Sequence, residues 1–246
     1  MQTTATAEAS TFPRLLLKHA TERPGAPAMR EKEYGIWQTR SWADMATLVE
    51  HLACGLHQAG LQRGEHMIVV GANRPRLSAT MLAAQALGAI PVPLYQDAAA
   101  AECVFPITNA EVRFCLVEDQ EQVDKMLEVR ESCPQLAHIY YDDPRGLRNY
   151  HEAGLTALDD LLTAGKSFAA SHPTFFKDEV AKAHATDVAA MFFTSGTTGN
   201  PKGVVHTHSS LIDRAQAGAE FDKLTSDEEV LAYLPPAWIG QNIFSY

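Results

Sequence analysis

Thr194-Ser195-Gly196-Thr197-Thr198-Gly199-Asn200-Pro201-Lys202-Gly203 is the stretch on which the reading of this chain turns. Four hydroxyls fall within five positions, two glycines interrupt them, and a lysine closes the run. Apolar segments flank it, Val188-Ala189-Ala190-Met191-Phe192-Phe193 before and Gly203-Val204-Val205-His206 after, a pattern that predicts strand, loop, strand. Glycine tolerates positive φ, so successive amide N–H groups can turn inward and form an anion-binding nest. Hydroxyls add short donor bonds and Lys202 adds a full positive charge, which together suit a polyphosphate. Composition alone also fits a solvent-exposed loop. The order of residues argues otherwise, because a plain linker has no reason to sit between two apolar strands and finish in Pro-Lys-Gly. Nor is this a Walker A loop, since Lys202 follows Pro201 and precedes Gly203 rather than Ser or Thr.

Working outward, the chain alternates helical and strand patterns. Residues 12–22 read as a helix ended by Pro24-Gly25, and residues 28–39 as a hairpin turning near Tyr34-Gly35. Ser41 caps the next helix with Asp44 three residues on. There Trp42, Met45, Val49, Leu52 and Leu56 recur at intervals of three and four and make one face apolar. Strands are expected at 67–71, 90–93, 113–117 and 136–141, and helices from Pro75 to Leu87 and over 120–131, the acidic 118–131 stretch forming a solvated face. Two short helices are expected at 157–164 and 177–184, and another at 211–220 behind His208-Ser209-Ser210. Such alternation predicts an α/β fold, a mostly parallel sheet flanked by helices, with ligands at the carboxyl ends of the strands. The expected organisation is a first α/β lobe over 1–141, a connector with short helices over 142–185, and over 186–246 the start of a second lobe carrying the loop.

Composition narrows the function class. The chain has 246 residues, 46% hydrophobic, enough for a sizeable core. A net charge of -10 disfavours nucleic acid and anionic membrane surfaces as partners. Cys54, Cys103, Cys115 and Cys133 show no Cys-x-x-Cys spacing and read as buried free thiols in a reducing cytoplasm rather than zinc ligands or disulfides. The first ten residues lack the basic start and apolar core of a secretory signal, and residues 79–94 are too short and interrupted to span a bilayer. His206 and His208 lie two apart with no further ligand at metal spacing, so a strand-end and a helix-entry histidine are expected.

The run Thr194–Gly203 resembles the phosphate-binding loop of the adenylate-forming superfamily, which includes acyl-CoA synthetases, luciferases and peptide-synthetase adenylation domains. Gly71-Ala72-Asn73-Arg74-Pro75, Leu87-Gly88-Ala89-Ile90-Pro91-Val92-Pro93-Leu94-Tyr95 and Tyr233-Leu234-Pro235-Pro236-Ala237-Trp238 resemble the same family. The last two, with Gln96-Asp97 and Ile243-Phe244-Ser245-Tyr246, look most like bacterial long-chain fatty-acid–CoA ligases. Family members are about twice this length or more. The family's Tyr-Gly-x-Thr-Glu stretch, its ribose-binding aspartate and its C-terminal domain with a catalytic lysine have no counterpart here, so the resemblance implies the N-terminal part of a longer enzyme, inactive by itself.

The resemblance further implies an AMP-forming acyl-CoA synthetase that activates a long-chain fatty acid with ATP and passes it to coenzyme A, with Mg2+ held beyond this chain. An acceptor other than coenzyme A, or a non-catalytic nucleotide- or acyl-binding module, stays open. Thr194, Ser195, Gly196, Thr197, Thr198, Gly199 and Lys202 are the implied nucleotide contacts, with Thr194 and Lys202 in the catalytic role. Trp238 and Gly240 belong to the segment that walls the acyl pocket. Trp238 fits either that wall or a core aromatic, and Gly240 either room for a bound chain or a turn. Asn73-Arg74-Pro75 fits an anion site or a helix start. The expected partners are the small molecules ATP, fatty acid and CoA, in a cytoplasmic protein without nucleic acid, with at most peripheral membrane contact and with a homodimer left open.

Overall fold

In the computed structural model, residues 10–194 and 200–244 are described. Five strands form one wholly parallel sheet: β3 (His66–Val70), β4 (Ile90–Leu94), β5 (Phe114–Val117), β6 (His138–Tyr141) and β7 (Leu155–Ala157), in the order β4-β3-β5-β6-β7. Met67 to Val70 and Phe114 to Val117 are buried without a break, as strands covered on both faces must be. Alternation then sorts the side chains. Met67, Val69, Phe114, Leu116 and Tyr140 point to one layer, and Ile68, Val70, Cys115, Val117 and Ile139 to the other.

The first layer holds α1 (Phe12–Glu22), α2 (Trp42–Gln58), α3 (Pro75–Ala86), α6 (Leu158–Ser171) and α7 (Phe175–Ala181). The second holds α4 (Ala100–Asn109) and α5 (Gln120–Arg130). α3 is buried along most of its length, and its alanines let it lie close between sheet and helices. α2 starts as the sequence predicts. Ser41 N–H donates to the Asp44 carboxylate at 2.9 Å while Asp44 N–H donates to the Ser41 hydroxyl at 3.1 Å. β1 (Pro27–Glu33) and β2 (Ile36–Ser41) form the expected hairpin, with Tyr34 and Gly35 both at positive φ, the conformation a tight hairpin turn demands.

Three elements differ from expectation. α4 lies where the sequence leads to no expected element, and it carries Pro106 inside it and Ala99 at its N-cap. Burial of Cys103, Pro106 and Ile107 outweighs the breaker, and Glu102 supplies the cap by accepting from Ala99 N–H at 2.8 Å. The segment expected as a connector contributes β7 to the sheet edge. Its first helix, α6, is 14 residues long and packs along α2.

Beyond it, β8 (Val188–Thr194) lies against β4 and pairs antiparallel with β9 (Lys202–Thr207). Gln85, 3% exposed, donates from its side chain to the Ala189 carbonyl at 2.9 Å and ties α3 to β8. α8 (His208–Asp222) begins earlier than predicted, because the Thr207 hydroxyl accepts from Ser210 N–H and makes Thr207 the N-cap. His208 is thereby the helix-entry residue and is buried, its Nδ1 accepting from Phe12 N–H at 3.3 Å. The short α9 (Ile239–Phe244) packs on α8. No helix of the described residues is long and apolar enough to cross a membrane.

Candidate nucleotide and acyl site

The β8–β9 hairpin carries the phosphate-loop candidates. Thr194 and Lys202 are directly paired across it, and Thr194 Oγ1 donates to the Lys202 carbonyl at 3.5 Å. Both residues are exposed. Ser195, Gly196, Thr197, Thr198 and Gly199 lie outside the described residues. The cross-strand pair sets Lys202 directly opposite Thr194 at the carboxyl end of β8. Lys202 is therefore delivered to the base of the loop by strand register, not by chain proximity.

Three of the other stretches singled out in the sequence meet in one place. A cavity of about 320 Å³, lined by polar and apolar surface alike, is walled by residues 71–74 after β3, by Tyr95, Gln96 and Asp97 after β4, and by residues 232–236. β3 and β4 are parallel neighbours, so both loops leave the same edge of the sheet, which is where open α/β sheets bind ligands.

Glu118, just past β5, holds the first wall. Its Oε2 accepts from Ala72 N–H at 2.6 Å and its Oε1 from Arg74 Nε at 2.8 Å, while its own N–H donates to Val70 O at 2.9 Å. The bond to Glu118, reinforced by its charge, holds the Arg74 guanidinium above its ordinary pKa. Gly71, at φ 156, leaves no space for a side chain, since a Cβ there would lie 2.5 Å from Leu77 Cδ2 and 2.7 Å from Glu118 Cβ. Glu118 is thus no part of a solvated helix face. Its side chain is only 14% exposed because it neutralises Arg74 at the sheet edge. Nothing in the local sequence marked it, as its partners lie 44 and 46 residues away.

Asn73 and Arg74 are both engaged within the protein, and Pro75 occupies the first turn of α3, so the helix-start reading of this stretch accounts for its residues. Trp238 is 48% exposed and so is not a core aromatic. Gly240 lies in the first turn of α9 beside Leu234, whose Cδ1 would stand 3.2 Å from a Cβ placed there.

Burial pushes the Asp142 carboxyl up to about 6 against the opposing pull of Arg76, whose Nε stands 2.9 Å from Asp142 Oδ1. Burial drives the His208 imidazole down to about 4, so it is neutral at pH 7. His206 sits in β9 beside the Phe192 ring at 5.9 Å. Among the described residues no group of three or more His, Cys, Asp or Glu could hold a metal ion. All four cysteines are free and buried. A second cavity, about 250 Å³ and mainly apolar, lies between α1, α2 and α8, with His19 and Trp42 in its wall.

Known proteins share this framework. The long-chain-fatty-acid–CoA ligase FadD15 of Mycobacterium bovis is 26% identical over 227 residues, covering 92% of this chain and 36% of that protein. The long-chain-fatty-acid–CoA ligase ACSBG2 of Homo sapiens is 30% identical over 217 residues, covering 87% and 32%. This chain therefore spans about a third of the length of these curated relatives. Acetoacetyl-CoA synthetase from Streptomyces lividans superposes with a TM-score of 0.76 at 20% identity, over 96% of this chain and 36% of that one. The inhibitor-bound N-terminal domain of FACL13 from Mycobacterium tuberculosis gives 0.69 at 22% identity, over 96% and 54%. At such identities the two solved structures establish the fold. The pattern of the AMP-binding enzyme family matches residues 16–245, and the chain belongs to that family.

Proposed function

We propose that this chain forms the phosphate grip and part of the acyl wall of an AMP-forming acyl-CoA synthetase acting on long-chain fatty acids. The observation that carries the reading is the Thr194–Lys202 pairing, which closes a run of hydroxyls and glycines at the end of a strand in a member of the AMP-binding family. In the proposed reaction a fatty-acid carboxylate oxygen attacks the α-phosphorus of ATP. Pyrophosphate leaves with the electrons of the broken P–O bond, and the thiol of coenzyme A then displaces AMP from the acyl carbon.

The first step brings two anions together, so positioning and charge neutralisation dominate its cost. The amides of Gly196 to Gly199 and the hydroxyls of Thr194, Ser195, Thr197 and Thr198 would hold the β- and γ-phosphates, with the Lys202 ammonium countering the charge that grows on the leaving group. Mg2+ would add to that neutralisation. Trp238 and Gly240 would line the acyl side. The relatives' names as long-chain-fatty-acid–CoA ligases support the substrate class and the acceptor.

ATP affinity of this chain, measured by calorimetry for Lys202→Ala and Gly199→Ala, tests the assignment. A charge-assisted contact contributes about 1.5–3 kcal/mol, so Lys202→Ala should weaken ATP binding by roughly 10- to 100-fold. Unchanged affinity in both variants refutes the loop assignment. AMP release by the enzyme containing this chain, with acids of graded length, reads the acyl class. Turnover confined to short acids overturns the long-chain reading.

A further inference from the structure

The geometry points to Asn73 as a positioning residue that staples the 232–238 segment to the carboxyl end of the sheet, and to Asn242 as the residue that ties the far end of the segment to α9, so that together they fix the wall carrying Trp238. Among the described residues the segment has no strand partner, and Pro235 and Pro236 have no N–H to offer a ladder. Four of its carbonyls accept from side-chain carboxamides, while Pro235 O accepts from Trp238 N–H and Trp238 O also accepts from Gln241 N–H. Asn73 Nδ2 donates to the carbonyls of Ala232 at 3.0 Å and Leu234 at 2.6 Å. Asn242 Nδ2 donates to those of Pro236 at 2.8 Å and Trp238 at 2.9 Å.

Every second carbonyl from 232 to 238 is thus taken by one of two amide groups. All four partners are acceptors, so only the NH2 ends can face them. Residues i and i+2 of an extended segment present their carbonyls on the same side, so one carboxamide can bridge 232 and 234 as a neighbouring strand would.

Both anchors are firmly held. Asn73 stands between Ala72 and Arg74, which are both bound to the Glu118 carboxylate, and Asn242 is 4% exposed at α9. By contrast, Leu231 and Tyr233 are 77% and 75% exposed, so apolar burial of these side chains does not hold the segment. The staple therefore links the loop after β3 to a segment 159 residues away, between two walls of the cavity. Its functional half rests on the acyl-wall reading proposed above.

Chymotrypsin cleavage after Tyr233, followed by mass spectrometry, reads release of the segment. Cleavage after Phe221, 87% exposed and remote from both asparagines in sequence, serves as the internal reference. Removing the donor in Asn73→Ala should speed cleavage after Tyr233 about tenfold with the Phe221 rate unchanged. Asn73→Asp decides why. It keeps the size and loses the donor, so it behaves like Ala if the staple is a hydrogen bond and like Asn if the role is only space-filling. Asn242→Ala and Asn242→Asp should follow the same order.

In the enzyme containing this chain, Asn73→Ala should raise KM for palmitate about tenfold and leave KM for ATP within about twofold. Unchanged cleavage, or equal acceleration at both sites, overturns the staple. Faster cleavage with an unchanged palmitate KM overturns its role in positioning. Absence of ligase turnover in the unmodified enzyme overturns the proposed function instead, and the cleavage comparison still decides the staple.

Discussion

Replacing Gly165 by alanine should destabilise the fold, although alanine is the better helix former. α6 crosses α2 backbone to backbone at this point. A Cβ on Gly165 would lie 1.8 Å from the His51 carbonyl oxygen and 2.7 Å from Gly55 N, and a Cβ on Gly55 would lie 2.5 Å from the Leu161 carbonyl oxygen. Contacts under 3.0 Å are not tolerated, so α6 must retreat from α2 by about 1.2 Å. No rotamer change relieves this, because the obstructing atoms are main chain.

Overpacking of a core costs roughly 1–3 kcal/mol, and a clash with backbone belongs at the upper end. The helix preference of alanine over glycine returns about 1 kcal/mol. The net expectation is a loss of about 2 kcal/mol. Gly218→Ala in α8 isolates the second contribution, since nothing lies within 4 Å of a Cβ there. That variant should gain up to ~1 kcal/mol. Urea denaturation of both variants beside the unmodified chain should therefore shift the two midpoints in opposite directions at equal slope. A Gly165→Ala midpoint at or above that of the unmodified chain would show slack in the crossing and refute the reasoning.

Two buried titratable groups give opposite pH signatures. His208, depressed from 6.5 to about 4 by burial, contributes stability that is complete above pH 6.5 and is lost as pH falls towards 4. At about 1.4 kcal/mol per pH unit this reaches ~3 kcal/mol, so His208→Asn should gain on the unmodified chain at pH 4.5 and not at pH 7. Asp142, raised from 3.8 to about 6 chiefly by burial, contributes stability that is complete below pH 3.8 and is lost as pH rises through 6. Asp142→Asn should therefore gain on the unmodified chain at pH 7 and not at pH 4, by a similar amount. Denaturation at the two pH values checks both, and a pH-independent difference for either variant contradicts its assignment. Burial also pushes the thiols of Cys54 and Cys103 up to about 11 and raises that of Cys115. Ellman's reagent at pH 8 should leave all three unlabelled in the folded chain and label all four cysteines in urea. Rapid labelling of any of the three in the native state would contradict their burial.

The sequence by itself determined what is local. Continuous apolar runs such as Met67–Val70 specify strands buried on both faces, Ser41 with Asp44 specifies where α2 begins, and the apolar runs on either side of the 194–203 stretch specify the strands β8 and β9. Each rests on periodicity or on hydrogen bonds spanning three or four residues, which composition and spacing encode directly. Where local signal and burial conflict, the sequence misleads. Pro106 reads as a breaker, yet the apolar layer around Cys103 and Ile107 keeps α4 helical.

Only the tertiary structure decided which of the recognised stretches share a site. Residues 71–74, 95–97 and 232–236 are far apart in sequence and meet because β3 and β4 are parallel neighbours that end at one sheet edge. Locally, Glu118 reads as part of a solvated acidic face and Asn73 as part of an anion site or a helix start, and nothing nearby in sequence marks either as the residue that holds these stretches together. A carboxylate gripping an arginine 44 positions away, or an amide gripping carbonyls 159 and 161 positions away, leaves no period in the chain. Such bonds exist only once strand order has brought the elements together, so their physical basis is the topology of the sheet and not the propensity of any segment.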